Sequence, residues 1–238
     1  MAKAMPARVT TYTMPSPYPA LAIALVADLH NTDPSQTLRL LEQEKPDLIV
    51  IAGDLYEGPP RRERVEWEHA ARLLKACGEL APTYYSQGNH DQTLCAEIEA
   101  AIKEAGVTLL TDRAVYAHGI HIGGLGSAYY REDDTPNLAF AIDFSHREGY
   151  KLLICHHPEY YRRYLKDLPL DLILSGHNHG GQWRVFGRGV YVPGQGLFPP
   201  HTHGVIDGRL VVSCGVANNV WVPRIGVPTE LVMLRPQV

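Results

Sequence analysis

Histidine, aspartate and asparagine recur along this chain in five short motifs that carry metal-binding donor atoms. Each motif follows an apolar run, and in chain order they are Asp28-Leu29-His30, Gly53-Asp54, Gly88-Asn89-His90-Asp91, His156-His157-Pro158 and Gly176-His177-Asn178-His179. Carboxylate and amide oxygens together with imidazole nitrogens, without thiolates, suit Mn, Fe, Zn, Co or Ni better than a soft metal or a calcium cage. The motifs therefore predict a hydrolytic site that holds two divalent metal ions.

Spacing and residue type give some of these side chains distinct parts in such a site. Asp28 and His30 stand two positions apart, so beyond the end of a strand they can converge on one ion. A carboxylate has two oxygens, which makes Asp54 the natural bridge between two ions. Taken singly, each motif is more typical of a turn or a solvated pair. Their common order and context favour the metal site over that structural interpretation.

The elements that position the first motifs follow from the periodicity of apolar residues. Strands are predicted at residues 20–27, 48–52 and 83–86, and a helical pattern follows each of them. Asp33 and Gln36 match a capping box at the start of the first helix. Open α/β sheets build their sites at strand-to-helix turns. The alternation therefore places the first three motifs at one edge of a sheet.

The second half of the chain supplies the remaining donors. Apolar runs at residues 152–155 and 170–174 lead into His156 and Gly176. Beyond Gly180 the chain is dense in Gly and Pro, and its strand candidates predict a second, more antiparallel sheet. These candidates are residues 190–192, 204–206, 210–213 and 230–234.

Length and composition indicate the domain organisation. The 238 residues are 45% apolar, which is enough for one α/β domain with a continuous core. We expect a polar leader over residues 1–19 and a single domain over residues 20–238. No apolar run approaches the length of a membrane span, and the four cysteines have no paired spacing. A cytoplasmic location is therefore the expectation.

The charge balance argues against one class of partner. The chain has 22 Lys and Arg against 26 Asp and Glu, a formal net charge of -4. This balance provides no basic field that would gather nucleic acid or anionic lipid. Bound divalent ions would make the site itself locally positive, so an anionic substrate is compatible with this balance. The sequence carries no information on oligomeric state.

The five motifs in this order resemble those of the calcineurin-like metallophosphoesterases, whose pattern is D-x-H, G-D, G-N-H-[DE], H and G-H-x-H. The resemblance covers about residues 20–182, and every block of the pattern is present. Residues 176–182, with His156 upstream, are similar to bacterial phosphodiesterases of the YkuE and YaeI type. The resemblance implies a four-layer α/β/β/α sandwich with two mixed sheets.

The family pattern also implies which residues bind each ion. One ion would be held by Asp28, His30, Asp54 and His179. The other would be held by Asp54, Asn89, His156 and His177. Asp54 is then shared between two ions, for which Mn or Fe is favoured. His157 matches no ligand position of the pattern and is interpreted as structural.

The same resemblance implies a mechanism, in which water bridges two cations about 3.5–4 Å apart and attacks the phosphorus in line. His90 follows a metal ligand without being assigned to an ion, which makes it the candidate general acid for the departing oxygen. Glu57 and Asp91 compete to orient His90, and Glu57 ranks higher. Gly58 stands where phosphoprotein phosphatases carry an arginine that grips phosphate, which argues against protein phosphatase activity.

The resemblance thus predicts a metal-dependent phosphodiesterase that acts on a small phosphoester substrate. Hydrolysis of a phosphomonoester or a pyrophosphate is the nearest alternative, because these substrates share the reacting phosphoryl group. A non-catalytic metal-binding scaffold is the alternative from a different class. The presence of every expected ligand together with His90 favours catalysis over the scaffold.

Overall fold

The computed structural model describes residues 7–15, 17–58, 65–129, 133–192, 195–217 and 223–237. Its helices are α1 (Ser35–Glu44), α2 (Glu68–Leu80), α3 (Ala96–Glu104) and α4 (Leu138–Ser145). Its strands are β1 (Arg8–Met14), β2 (Ile23–Val26), β3 (Leu48–Ala52), β4 (Thr83–Ser86), β5 (Thr108–Leu109), β6 (Arg113–Ala117), β7 (Ile120–Leu125), β8 (Lys151–Cys155), β9 (Leu172–Ser175), β10 (Arg184–Val185), β11 (Arg188–Gly189), β12 (Tyr191–Val192), β13 (Gly196–Leu197), β14 (Gly204–Ile206), β15 (Leu210–Val212) and β16 (Glu230–Pro236). Within these described ranges, no helix combines the length and the apolar character that crossing a bilayer needs.

The first sheet contains six strands in the order β1-β16-β2-β3-β4-β5. Strands β2 to β5 are parallel to one another, whereas β16 runs antiparallel to β2 and parallel to β1. Both β2 and β3 are buried at every residue, which explains why their sequences are continuous apolar runs. Because β2, β3 and β4 are parallel neighbours, the loops that follow them emerge at the same edge.

The second sheet also has six strands, in the order β14-β15-β9-β8-β7-β6. Its four inner strands β15, β9, β8 and β7 are parallel, and the outer strands β14 and β6 pair antiparallel to their neighbours. Strands β8 and β9 lie at the centre. The loops after β8 and β9 therefore also emerge together.

Three apolar clusters define the layers. Leu41 and Leu74 from α1 and α2 belong to a cluster that covers the outer face of the first sheet. Leu25 and Leu174 belong to a cluster between the two sheets, and Phe144 of α4 belongs to a third on the outer face of the second sheet. The order is helix, sheet, sheet, helix. The predicted four-layer α/β/β/α sandwich with two mixed sheets is thus confirmed.

Strand β1 lies in the segment predicted as a polar leader. It pairs with β16 along its whole length, so the sheet begins ahead of the predicted domain boundary at residue 20. The sequence of β1, RVTTYTM, is rich in Thr and Tyr, which favour strands without forming an apolar run. Residues 1–6 lie outside the described residues.

Two further expectations need correction. Strand β16 covers the candidate at residues 230–234, but it lies inside the first sheet, between β1 and β2, and not in the second. The predicted capping box of α1 is not formed, because Gln36 Nε2 donates to the Ala7 carbonyl at 3.1 Å. Asp33 Oδ1 instead accepts from the backbone N–H of Ser35 at 3.0 Å and from its hydroxyl at 2.6 Å.

Candidate metal centre

The five motifs meet where the carboxyl ends of the central strands of both sheets face one another. The first three motifs follow β2, β3 and β4 in the first sheet, and the last two follow β8 and β9 in the second. The structure brings together all of the predicted ligands, namely Asp28, His30, Asp54, Asn89, His156, His177 and His179. All of them are buried except His177, which is partly buried. A buried group of carboxylates and imidazoles requires compensating charge or pairing.

Asp28, His30 and His179 place three donor atoms close together. His30 Nε2 lies 3.2 Å from His179 Nε2 and 4.0 Å from Asp28 Oδ1. His179 Nε2 lies 3.7 Å from the same aspartate oxygen. Donors that bind one ion at about 2.0–2.2 Å are separated from each other by distances of this order. Asp54 Oδ2, 3.9 Å from His30 Nε2, completes the first predicted ligand group.

The second ligand group contains buried donor atoms that no hydrogen bond satisfies. His156 Nε2 lies 3.1 Å from Asp54 Oδ2, while His156 Nδ1 is 2.6 Å from the Ala52 carbonyl oxygen. That carbonyl holds a proton on Nδ1, so Nε2 is the nitrogen that can bind an ion once it is deprotonated. Among the described residues, Asn89 Oδ1 and His177 Nε2 have no hydrogen-bond partner. Because buried polar atoms are normally paired, these atoms fit a second ion.

The charge states of two histidines in this group differ. Burial lowers the pKa of His177 to about 3, so its imidazole is neutral and can donate a lone pair. Burial also opposes protonation of His156, but the Asp54 carboxylate outweighs burial and raises the pKa of His156 to about 10. An ion that binds His156 near neutral pH must therefore displace a proton.

The backbone is strained at most of the predicted ligands. Asp28, His30, Asp54, His177 and His179 all have φ between 45° and 70°. Residues with a Cβ seldom occupy this left-handed region, and each instance costs on the order of 1–3 kcal/mol. Such strain persists at functional sites, where the surrounding structure enforces it. Its concentration here supports a functional centre.

Two glycines allow the ligand loops to approach one another. A Cβ on Gly88 would lie 2.2 Å from Asp54 Oδ1. Gly53 has a φ of 82°, and a Cβ there would lie 2.6 Å from His156 Nδ1. A side chain at either position would therefore displace a predicted ligand.

Glu57 holds two histidines of the site at once. Glu57 Oε2 lies 2.8 Å from His90 Nδ1, and Glu57 Oε1 lies 2.8 Å from His30 Nδ1. Burial raises the pKa of Glu57, but the hydrogen bonds with His30 and His90 outweigh it and hold the pKa well below its usual range. The opposite nitrogen of His90, Nε2, lies 3.9 Å from Asp54 Oδ2. His90 is thus fixed by an ionised carboxylate beside the predicted bridging ligand.

Asp91, the other carboxylate predicted to orient His90, has different partners. Its Oδ2 accepts hydrogen bonds from Tyr85 Oη at 2.6 Å and Leu55 N at 2.7 Å, and its Oδ1 accepts from Gly88 N at 2.6 Å. Burial and repulsion from Asp54 raise the pKa of Asp91 to about 6. Asp91 therefore braces the loops after β3 and β4, and Glu57 is the carboxylate that contacts His90.

Two residues that touch the predicted ligands were not among those predicted from the sequence. Arg224 Nη2 lies 2.9 Å from His179 Nδ1, and Glu159 Oε1 lies 3.6 Å from His177 Nε2. Glu159 also lies 3.2 Å from His157 Nδ1, in keeping with the structural interpretation of that histidine. Glu159 lies close to the His156 motif in the sequence, and this position could have marked it as a candidate site residue. Arg224 is 45 positions from His179, and no local pattern marks it.

The comparison with protein families shows which family this chain belongs to. The calcineurin-like phosphoesterase family matches residues 21–181, a range that contains all five motifs. The chain belongs to this family. The family assignment agrees with the resemblance that the motifs show.

Several bacterial relatives of this calcineurin-like phosphoesterase are similar over most of its length. The uncharacterized protein YpbG of Bacillus subtilis is 31% identical over 185 residues, which cover 74% of this chain and 68% of YpbG. Phosphodiesterase YaeI of Escherichia coli is 29% identical over 68% of this chain and 62% of its own length. An uncharacterized metallophosphoesterase of Campylobacter jejuni is 29% identical over 89% of this chain and 56% of its own length. The matched regions thus span between 56% and 68% of these relatives.

Proposed function

We propose that this calcineurin-like phosphoesterase is a phosphodiesterase whose centre uses two divalent metal ions. The contact of 2.8 Å between Glu57 Oε2 and His90 Nδ1 carries the proposal. It supplies an oriented proton donor whose Nε2 lies 3.9 Å from Asp54 Oδ2, within the cluster of predicted ligands. A scaffold that only bound metal would not need this histidine.

The residues that would hold the ions fit them in number and type. The first ion would contact Asp28, His30, Asp54 and His179, and the second Asp54, Asn89, His156 and His177. When bound, two divalent cations lower the pKa of water towards neutrality and neutralise charge on the phosphoryl oxygens. Nitrogen and oxygen donors without thiolate favour Mn or Fe for this role.

His90 is the general acid in this proposal. Glu57 accepts the hydrogen on His90 Nδ1, so the ring is fixed with Nε2 on the side of Asp54. Protonated Nε2 then donates its proton to the oxygen that leaves the phosphorus, which removes the cost of expelling an alkoxide. The ionised Glu57 stabilises the imidazolium before that transfer.

The arrangement of cationic side chains near the centre favours a diester over a monoester as the substrate. A diester carries a single negative charge, whereas a monoester carries close to two near neutral pH. The guanidinium of Arg224, which contacts His179, also donates to the carbonyl oxygens of Cys214, Pro228 and Ala217. Its donors are therefore engaged by the protein instead of pointing towards a second phosphate charge. The 29% identity with phosphodiesterase YaeI supports the same preference.

The test compares hydrolysis of bis-p-nitrophenyl phosphate and p-nitrophenyl phosphate before and after Mn²⁺ is added to metal-free protein. We expect metal-dependent turnover with a larger kcat/KM for the diester. In the variant His90→Asn, diester hydrolysis should fall, by about 10²–10⁴-fold for a diester with a poor leaving group and by less for the p-nitrophenyl diester. His146→Asn, an exposed histidine that ends α4, is the matched control and should be unaffected. Faster cleavage of the monoester, or no cleavage of either ester with two ions bound, would overturn the proposal.

A further inference from the structure

Two β-hairpins beside the metal centre expose large apolar side chains. We define the hairpin platform as residues 183–189, which include β10 and β11, and residues 195–198, which include β13. Phe186 is 101% exposed, Leu197 is 69% exposed and Phe198 is 62% exposed. Side chains of this size at such exposure contribute nothing to the three cores of the fold. A contact outside the folded chain would account for them.

The backbone conformation of the turn at Phe186 is a second reason to expect a contact outside the folded chain. Val185 pairs with Arg188, so Phe186 and Gly187 form a two-residue loop with φ values of 48° and 79°. Hairpin loops with positive φ at both central residues favour Asn-Gly or Asp-Gly. An aromatic residue there is disfavoured by the backbone and gains no burial. Phe198, with a φ of 51°, combines exposure and strain in the same way.

Arginine side chains lie beside these apolar residues. A surface pocket of about 490 Å³ adjoins the platform, and its lining includes Arg162, Arg188 and Phe198. The chain has no Asp or Glu from residue 172 to residue 206, although its net charge is -4. Asp207, just beyond this segment, lies 3.8 Å from Lys166 Nζ. The overall charge balance predicted no attraction to anionic lipid, but positive charge is concentrated locally.

We propose that the hairpin platform docks the protein on a lipid surface that contains anionic phospholipid. Phe186, Leu197 and Phe198 enter the boundary between headgroups and acyl chains, while Arg162 and Arg188 meet the headgroup phosphates. Apolar insertion combined with basic side chains is the chemistry by which peripheral proteins bind anionic membranes. A side chain exposed on all sides, such as Phe186, suits a deformable lipid layer, whereas a protein partner would need a matching pocket.

The platform is joined to the metal centre through Gln195. Gln195 Nε2 donates to Asn178 Oδ1 at 2.7 Å and to Glu159 Oε2 at 3.2 Å. Asn178 stands between two predicted ligands in sequence, and Glu159 lies against His177. Docking through the platform therefore holds the centre near the lipid surface. The docking itself does not depend on the proposed hydrolysis.

The test is sedimentation of the full chain with phosphatidylcholine vesicles, with and without phosphatidylglycerol, at low and high NaCl. We expect partitioning onto the anionic vesicles that weakens as salt rises. Phe186→Asn and Phe198→Asn should each reduce partitioning by about tenfold. Arg188→Gln should reduce the preference for anionic vesicles. Tyr116→Asn removes a 67% exposed aromatic residue on β6, an outer strand of the second sheet that is not part of the platform. It is the matched control and should leave partitioning unchanged.

Asparagine is chosen because it suits positive φ, so Phe186→Asn should unfold at the same temperature as the wild type or a higher one. The proposal is overturned if the wild type binds neither vesicle, or if both Phe variants bind as the wild type does. It is also overturned if sedimentation velocity shows a dimer that the Phe variants dissociate while vesicle binding is unchanged. Vesicle binding without hydrolysis of any phosphoester would instead contradict the proposed function alone.

Discussion

Glu57 and His90 are joined by a contact of 2.8 Å between Oε2 and Nδ1, and the other oxygen of the same carboxylate contacts His30. One ionised side chain therefore orients both a predicted metal ligand and the candidate acid. Outer carboxylates of this kind fix the orientation of a ligating imidazole and raise its basicity. In the proposed function, Glu57 would therefore couple metal binding to proton transfer.

Replacing Glu57 by Gln should weaken both functions. The amide keeps the shape of the side chain but loses the negative charge that holds His30 and His90. We expect Mn²⁺ affinity to fall by about 10–100-fold in calorimetric titration and kcat for bis-p-nitrophenyl phosphate to fall as well. Glu79→Gln, an exposed position on α2, is the control. Unchanged affinity and kcat in Glu57→Gln would show that this carboxylate orients neither histidine.

The role of His90 as an acid predicts a dependence on the leaving group. A poor leaving group needs protonation more than a good one. Across aryl phosphodiesters whose phenols differ in pKa, the loss caused by His90→Asn should therefore grow as the phenol becomes less acidic. The measurement is the ratio of kcat/KM between wild type and variant for each ester. A ratio independent of the phenol would assign His90 to binding instead.

Steric contact at Gly88 gives a prediction that does not depend on charge. The Cβ of Gly88→Ala would lie 2.2 Å from Asp54 Oδ1, so the carboxylate must move away from the ligand cluster. We expect fewer than two ions per chain by elemental analysis, with a matching loss of diester hydrolysis. Gly58→Ala is the control, because the nearest atom to its Cβ among the described residues is Val65 Cγ2 at 3.5 Å. Full metal content in Gly88→Ala would show that the Asp54 position tolerates displacement.

The pKa of His156 predicts how metal binding responds to pH. In the absence of metal this pKa is raised to about 10, because the Asp54 carboxylate outweighs burial. Below that pH protons compete with the ion for Nε2, so Mn²⁺ affinity should rise as pH increases from about 6 to 9. Calorimetry in buffers of different ionisation enthalpy counts the protons released. Affinity that is flat over this range, with no proton release, would contradict the assignment of His156 as a ligand.

Much of the fold could be predicted from local sequence. The apolar runs of β2 and β3 and the amphipathic pattern of α2 are short-range signals, and they were sufficient for the fold class. The structure also brings the seven predicted ligands to one location, because each follows a strand of the parallel core. Their roles as metal ligands stay predictions.

The parts that sequence could not supply depend on contacts between distant segments. Arg224 reaches His179 across 45 positions, and β16 inserts between β1 and β2 without a local signal for its place in the sheet. Glu57 and Asp91 were both plausible partners of His90 by spacing. The structure shows which of the two carboxylates points towards His90, and spacing in the sequence does not determine that direction. The exposure of Phe186 could not be predicted from the sequence either, because apolar residues are usually expected to be buried.

We propose that two metal ions at one centre make this chain a phosphodiesterase. The most direct test adds Mn²⁺ stepwise to concentrated metal-free protein, well above the dissociation constants, while hydrolysis of bis-p-nitrophenyl phosphate is followed. We expect activity to rise until two ions per chain are present and then to level off, and Asp54→Asn to remain inactive throughout. A plateau at one ion per chain, or hydrolysis without added metal, would show that hydrolysis does not depend on a pair of metal ions.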